Sequence, residues 1–205
     1  MKVKICGITQ LKEAEYLNRY RPDFAGMVLF FEKSKRNISI TQANELIKVI
    51  SSSIKKVAVV VSPTKEQIQE IEQAGFDVLQ IHGTITDEVL ESITLPVWKA
   101  FNGKDMEQFS DFSSNEKITG YVFDAAEPGS GKGFDWRQIK DIPKDDRMFF
   151  LAGGLSPENV VAAIQAVHPD GVDVSSGVES ANGQGKDPAK IEEFIKNAHR
   201  ERERR

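Results

Sequence analysis

Along this chain, apolar residues recur in two rhythms that take turns from one end to the other. Runs dense in Val, Ile, Leu and Phe alternate with stretches where apolar positions return every three or four residues among charges. These are the marks of buried strands and amphipathic helices. The first run, residues 2–6, ends at the only cysteine and breaks at Gly7, with Thr9 placed to cap a helix over 11–20 that stops before Pro22. Residues 24–30 are almost continuously apolar, as a strand buried on both faces requires. Further strands are predicted at 56–61, 78–82, 97–101, 121–124, 148–151 and 171–174. Helices are predicted over 42–50, capped by Thr41, and over 65–73, opened by Pro63 and Thr64 and ended by Gly75. Three more are expected over 87–93, over 158–167 behind Pro157, and over 188–198. Residues 105–117 lack a firm period and read as a short helix or an irregular connection, and another short helix is expected around Trp136.

Eight strand runs, each followed by a helix or a helix-like connection, are spaced roughly 20 to 30 residues apart, as βα units require. Such a chain either closes into a (β/α)8 TIM barrel or lies open as a doubly wound sheet, and eight regular repeats favour the barrel. At 205 residues the chain sits near the lower limit for that fold, so one or more helices must be shortened, first of all the one in 105–117. One catalytic domain is expected over 1–198. The dense charge run 199–205 reads as a solvated helix end rather than a recognition element.

Composition narrows the class. Hydrophobic residues make up 40% and charged residues 28%, which is ordinary for a globular domain. A net charge of −4 without a basic stripe gives no support for nucleic-acid binding. One cysteine excludes an intrachain disulfide and a multi-cysteine metal site, and His82, His168 and His199 are too scattered to suggest a metal. The glycine-rich loop 127–133 lacks the Gly-Lys-Ser/Thr ending of a nucleotide cradle and reads as a rim loop, and no dinucleotide fingerprint is present. With no signal sequence in view and no apolar run of membrane length, a cytoplasmic enzyme or binding domain without a membrane partner is expected.

The strand ends carry the chemistry. In a parallel barrel the C-terminal ends share one face, and that face holds the active site. On it the pattern places Cys6 after the first strand, Arg36 in the loop after the second, His82 at the fourth, Asp124 at the sixth, Gly153 and Gly154 after the seventh, and Asp173, Ser175, Ser176 and Gly177 at the eighth. Each has a plain structural alternative: a core thiol, a solvated arginine, a hydrogen-bonded histidine, a capping aspartate. Their joint placement on one rim favours function. Paired small-residue loops after the last two strands are where barrels commonly hold a phosphate, so a phosphorylated small molecule is the expected ligand.

Several segments together resemble phosphoribosylanthranilate isomerase. They are Lys4-Ile5-Cys6-Gly7-Ile8-Thr9, Ser34-Lys35-Arg36, Gln80-Ile81-His82-Gly83, Gly131-Lys132-Gly133-Phe134-Asp135-Trp136, Ala152-Gly153-Gly154-Leu155-Ser156-Pro157-Glu158-Asn159-Val160 and Val172-Asp173-Val174-Ser175-Ser176-Gly177-Val178-Glu179. The resemblance runs in order from residue 3 to about 197. It implies an Amadori rearrangement of N-(5-phosphoribosyl)anthranilate to 1-(2-carboxyphenylamino)-1-deoxyribulose 5-phosphate in tryptophan biosynthesis, with Cys6 as general base and Asp124 as general acid. It further implies Arg36 on the anthranilate carboxylate, the glycine and serine loops on the phosphate, Asp173 near the ribose hydroxyls and His82 among the substrate-binding residues. Family members occur as monomers, dimers and fused domains, so a monomer or homodimer is implied. No cofactor is needed, because the substrate's own nitrogen is the electron sink. One departure is the run Phe30-Phe31-Glu32-Lys33, which lacks the proline often found before Ser-x-Arg.

The chemistry sets two conditions. A carboxylic acid of ordinary pKa ~4 is mostly ionised at neutral pH, so Asp124 must be held or caught protonated to serve as acid. A thiol near pKa ~8.5 is only a few per cent thiolate, so local dipoles or Lys4 must favour the anion. Related barrel enzymes fit less well. The aminoaldose isomerase of histidine biosynthesis would carry an aspartate in place of Cys6, and a pentose-phosphate epimerase would need metal-binding His and Asp at several strand ends. A non-catalytic phosphate-binding protein would need neither Cys6 nor Asp124.

Overall fold

The computed structural model describes residues 1–102, 109–124 and 145–200. The predicted strands form as β1 (Lys2–Cys6), β2 (Phe24–Leu29), β4 (Lys55–Val61), β5 (Val78–His82), β6 (Val97–Asn102), β7 (Ile118–Asp124), β8 (Met148–Ala152) and β9 (Gly171–Val174). A two-residue strand that the pattern did not predict, β3 (Asn37–Ile38), pairs on the outside of β2. All ladders between strands are parallel, and β1 pairs with both β9 and β2, so eight strands close into a (β/α)8 barrel. The helices are α1 (Leu11–Tyr20), α2 (Ile40–Val49), α3 (Lys65–Ala74), α4 (Asp87–Ser92), α5 (Phe109–Ser113), α6 (Val160–Val167) and α7 (Pro188–Arg200).

Shortening falls where expected. Among the described residues of the 105–117 stretch, 109–117, the structure has only the five-residue α5. Its cover is supplemented by aromatic rings: Phe109 and Phe112 pack on Phe101 at centroid distances of 5.5 and 5.9 Å, and Phe109 also meets Tyr121 at 5.0 Å. The ammonium of the fully buried Lys99 lies 4.6 Å from the Phe101 ring and 4.9 Å from Phe112. The predicted loop 127–133 and the helix around Trp136 lie outside the described residues. The last helix continues through His199 and Arg200, two residues beyond the expected end.

Caps differ in detail from the expectation. Ser39, not Thr41, caps α2: its Oγ accepts the Gln42 amide at 3.2 Å while Gln42 Oε1 accepts the Ser39 amide at 3.0 Å. The chain leaves β3 extended at Ser39, so Thr41 already lies inside the first turn. Gln10 rather than Thr9 caps α1, because Glu13 folds back to accept the amides of both, at 2.9 and 2.6 Å. The helix behind Pro157 begins at Val160, after a turn in which Asn159 Oδ1 accepts the Ser156 amide at 2.8 Å.

At the opposite face of the barrel a repeated device sets the register. Asp23, Asp77 and Asp170 each precede a strand and accept the amide of Val3, Lys56 and Phe149 on the neighbouring strand, at 2.9, 2.8 and 2.9 Å. Two apolar layers result. The larger lies between sheet and helices; the smaller fills the barrel, where Phe24, Trp98 and Phe150 pack at 4.7 to 5.5 Å and plug its lower end. Above this plug the interior turns polar, with Lys4, Gln80 and Asp173 buried. Among the described residues no helix is long and apolar enough to cross a membrane.

Candidate active site

That polar layer is the floor of a cavity of about 310 Å³ at the C-terminal ends of the strands. Side-chain alternation along β1 turns Lys4 and Cys6 inward together, with Val3 and Ile5 packed in the outer layer. Gly26 on β2 makes room for both: a Cβ there would stand 2.8 Å from Cys6 Sγ and 3.0 Å from Lys4 Nζ. Lys4 Nζ donates to Asp173 Oδ2 at 2.8 Å, a buried ion pair whose carboxylate edge faces the cavity. Burial would lower the Lys4 pKa, but Asp173 and Cys6 outweigh it and hold the ammonium above its ordinary range. Burial pushes the Cys6 thiol up, Lys4 and Lys186 pull it down, and Asp173 opposes them. The net shift is upward. Lys4 therefore favours the anion as expected, but the site as a whole holds Cys6 as a thiol before substrate arrives.

Two acceptors in this floor, Asp173 Oδ1 and Gln80 Oε1, are buried without a hydrogen-bond partner among the described residues. Each orphan costs about 1–3 kcal/mol unless a donor meets it, so the floor offers two acceptors to a hydroxyl or water donor. Gln80 Nε2 lies 2.9 Å from His82 Nε2, which fits a neutral ring accepting there. Burial, then the charges of Lys4 and Lys99, push the His82 pKa down to about 4. The ring is thus neutral at any working pH. This has a measurable consequence. Below pH 6.5 the unfolded chain takes up a proton that the folded site refuses until about pH 4, so stability falls with pH across that window. His82→Asn should remove about 2 kcal/mol of this acid sensitivity, read from unfolding midpoints at pH 7 and pH 4.5.

The other predicted residues take these places. Asp124 ends β7 and lines the same cavity as Cys6. Gly153, Gly154, Ser175 and Ser176 form its wall on the side of β8 and β9. Gly177 does not line it; a Cβ there would come within 1.9 Å of the Leu155 carbonyl oxygen, so this glycine lets the two loops close on each other. Arg36 lines the cavity from the loop after β2. Although the proline is missing, this loop is braced by Asn37, whose Oδ1 accepts the Phe31 amide at 2.8 Å, and by a turn from Ser34 N to Phe31 O at 2.9 Å.

Sequence reasoning missed three participants. Lys186, buried behind the phosphate-loop candidate, donates to Ser175 O at 3.0 Å and Ser175 Oγ at 3.3 Å. Glu179 pairs with Arg36 at 2.6 Å and with Lys35 at 2.7 Å. Gln80 supplies the orphan acceptor described above. The signal for Gln80 was a polar residue inside an apolar strand run; the pairings of Lys186 and Glu179 join residues distant in sequence and left no local pattern. Among the described residues no group of three or more His, Cys, Asp or Glu could hold a metal ion.

Comparison with known proteins agrees with this geometry. The family described as N-(5'phosphoribosyl)anthranilate (PRA) isomerase matches residues 3–197. The N-(5'-phosphoribosyl)anthranilate isomerase of Listeria welshimeri is 41% identical over 202 residues, 97% of this chain and 98% of the relative. A crystal structure of mutually generated monomers of the dimeric phosphoribosylanthranilate isomerase of Thermotoga maritima superposes with a TM-score of 0.84 at 36% identity, covering 97% of this chain and 98% of that one. A structure of a phosphoribosylanthranilate isomerase in complex with reduced 1-(o-carboxyphenylamino)-1-deoxyribulose 5-phosphate gives a TM-score of 0.83 at 35% identity, with coverage of 97% and 98%. With the barrel, its strand-end cavity and this full-length match in hand, the chain belongs to the N-(5'-phosphoribosyl)anthranilate isomerase family.

Proposed function

We propose that Cys6 is the general base and Asp124 the general acid of the isomerisation, with the substrate held between them by Arg36, His82, Asp173 and the loops after β8 and β9. The enzyme converts N-(5-phosphoribosyl)anthranilate to 1-(2-carboxyphenylamino)-1-deoxyribulose 5-phosphate in tryptophan biosynthesis. The observation that carries the assignment is a single thiol and a strand-end carboxylate lining one cavity, with the Lys4 ammonium beneath the thiol.

Asp124 gives its proton to the furanose oxygen as the C1′–O4′ bond breaks and the anilino nitrogen forms a C1′=N iminium. The iminium acidifies the C2′ proton, which the Cys6 thiolate removes, and the electron pair flows to nitrogen to give an enolamine. Loss of the 2′-hydroxyl proton and protonation of C1′ then give the ketone. Each proton transfer is worth roughly 10²–10⁴-fold. Lys4 faces both Cys6 and Asp173, so a substrate hydroxyl donating to Asp173 would weaken the carboxylate's opposition to the thiolate just where the base is needed.

Phosphate is assigned to Gly153, Gly154, Ser175 and Ser176, with the Lys186 ammonium adding positive charge behind Ser175. Gly177 serves that site through loop packing. Arg36 takes the ring carboxylate, and Arg36→Met should raise KM about tenfold or more with a smaller change in kcat, measured by steady-state turnover. The reading extends to a cytoplasmic enzyme active as monomer or homodimer on a small phosphorylated substrate. Complementation of a tryptophan auxotroph lacking this step tests the assignment, with the Cys6→Ala variant as control. Growth with the intact chain and none with the variant is expected, and equal growth would remove Cys6 from its role.

A further inference from the structure

A guanidinium has two edges that can fork an oxyanion, and what fixes one edge aims the other. In Arg36 one edge is taken. Its Nε donates to Glu179 Oε1 at 2.6 Å, and Nη2 lies 2.6 Å from the same oxygen. Nη1 has no part in this pair, and Arg36 lines the cavity. The arginine stem is laid flat on Gly7, whose φ of 75° disfavours any residue with a side chain and where a Cβ would stand 2.4 Å from Arg36 Cδ. The Arg36 amide is held by Ser34 Oγ at 3.2 Å.

Glu179 is itself anchored. Its Oε2 accepts from Lys35 at 2.7 Å, Lys186 Nζ lies 3.8 Å from Oε1, and its carbonyl accepts from Lys190 Nζ at 2.8 Å. The side chain is only 12% exposed. Burial would raise its pKa, but hydrogen bonds from Lys35 and Arg36 and the nearby cations keep it below the usual carboxylate range. Three cations around one carboxylate leave this rim net positive, suited to an anionic group of the substrate.

We propose that Glu179 is a positioning residue for substrate recognition: by gripping the Nε edge of Arg36 it aims the opposite edge at the ring carboxylate. The proposal rests on the assignment of Arg36 to that carboxylate. Glu179 touches no reacting atom, so its loss is felt in binding and in selectivity for the carboxylate rather than in the chemical step.

The test uses Glu179→Gln, Arg36→Met and the double variant of the full chain. Turnover is measured, together with inhibition by the reduced product analogue with and without its ring carboxylate. Glu179→Gln should raise KM about tenfold with kcat within about threefold, weaken the carboxylate-bearing inhibitor by a similar factor, and leave the carboxylate-free one unchanged. Combined with Arg36→Met it should add almost nothing, as expected for residues acting through one contact. Equal weakening of both inhibitors, or a full additive loss in the double variant, would overturn the proposal, since either marks Glu179 as general support for the rim. If Arg36→Met weakens the carboxylate-bearing inhibitor and Glu179→Gln does not, the positioning role is wrong while the Arg36 assignment stands. If neither weakens it, the Arg36 assignment is wrong and the positioning role falls with it. Glu179→Asp, which keeps the charge but withdraws it by one methylene, should show the same selective loss and serves if the Gln variant does not fold.

Discussion

Cys6→Ala is expected to lower kcat/KM by about 10⁴-fold while the barrel still folds, because it removes the thiol proposed to take the C2′ proton and little else. The sulfur sits in a tight interior site against Gly26, so its loss leaves a small void costing on the order of 1 kcal/mol. A thermal midpoint within a few degrees of wild type, beside turnover near background, is the predicted pair of results. The thiol can also be followed directly, since the chain has one cysteine. Burial and Asp173 hold its pKa above the ordinary value, so alkylation by iodoacetamide should rise with pH through a midpoint higher than that of a free thiol. Asp173→Asn should bring that midpoint down, because it removes a charge opposing the thiolate and frees Lys4 to pair with sulfur.

Asp124→Asn is the second large effect, a loss of about 10³- to 10⁴-fold in kcat with the fold intact. An amide keeps the size of the carboxyl and can still donate a hydrogen bond, but it has no proton to give as the C1′–O4′ bond breaks. Asp124 ends β7, whose ladder with β6 and β8 sets its place; both ladders run through backbone atoms that the substitution leaves alone. Steady-state turnover and the far-UV spectrum of the variant check the two halves of the prediction. Near-wild-type turnover would mean that the ring opens by another route.

The fold was legible because its signals are local and repeated. Each strand is a short apolar run and each helix a 3.6-residue period, and eight alternations leave a barrel as the natural closure. Cys6, His82 and Asp124 could be placed for the same reason: polar residues ending apolar runs must share one rim once the strands are parallel. Finer features depended on geometry that no window contains. Ser39 and Thr41 are equally good caps on paper, and only the end of β3 decides between them. Gln80 is a polar residue inside an apolar strand run, yet with Asp173 it lines the cavity floor, and Lys4, expected only to favour the thiolate, also pairs with Asp173 there. Arg36 and Glu179 lie 143 residues apart, and the Lys186 amide meets Glu13 across 173, so their network exists only after the barrel closes. Gly177 shows the limit of motif reading from the other side. It sits in a run expected to hold phosphate, but its missing side chain is needed by the Leu155 backbone.

In the proposed mechanism Asp124 acts at ring opening and Cys6 at the later C2′ proton transfer. The kinetic isotope effect on turnover of substrate deuterated at C2′ tests it most directly, measured in Cys6→Ser and in Asp124→Asn. With a poor base, C–H cleavage limits the rate, so Cys6→Ser should show a large primary effect. With no acid, the earlier ring opening limits, so Asp124→Asn should show an effect near unity. Equal effects in the two variants, or the reverse order, would contradict the account.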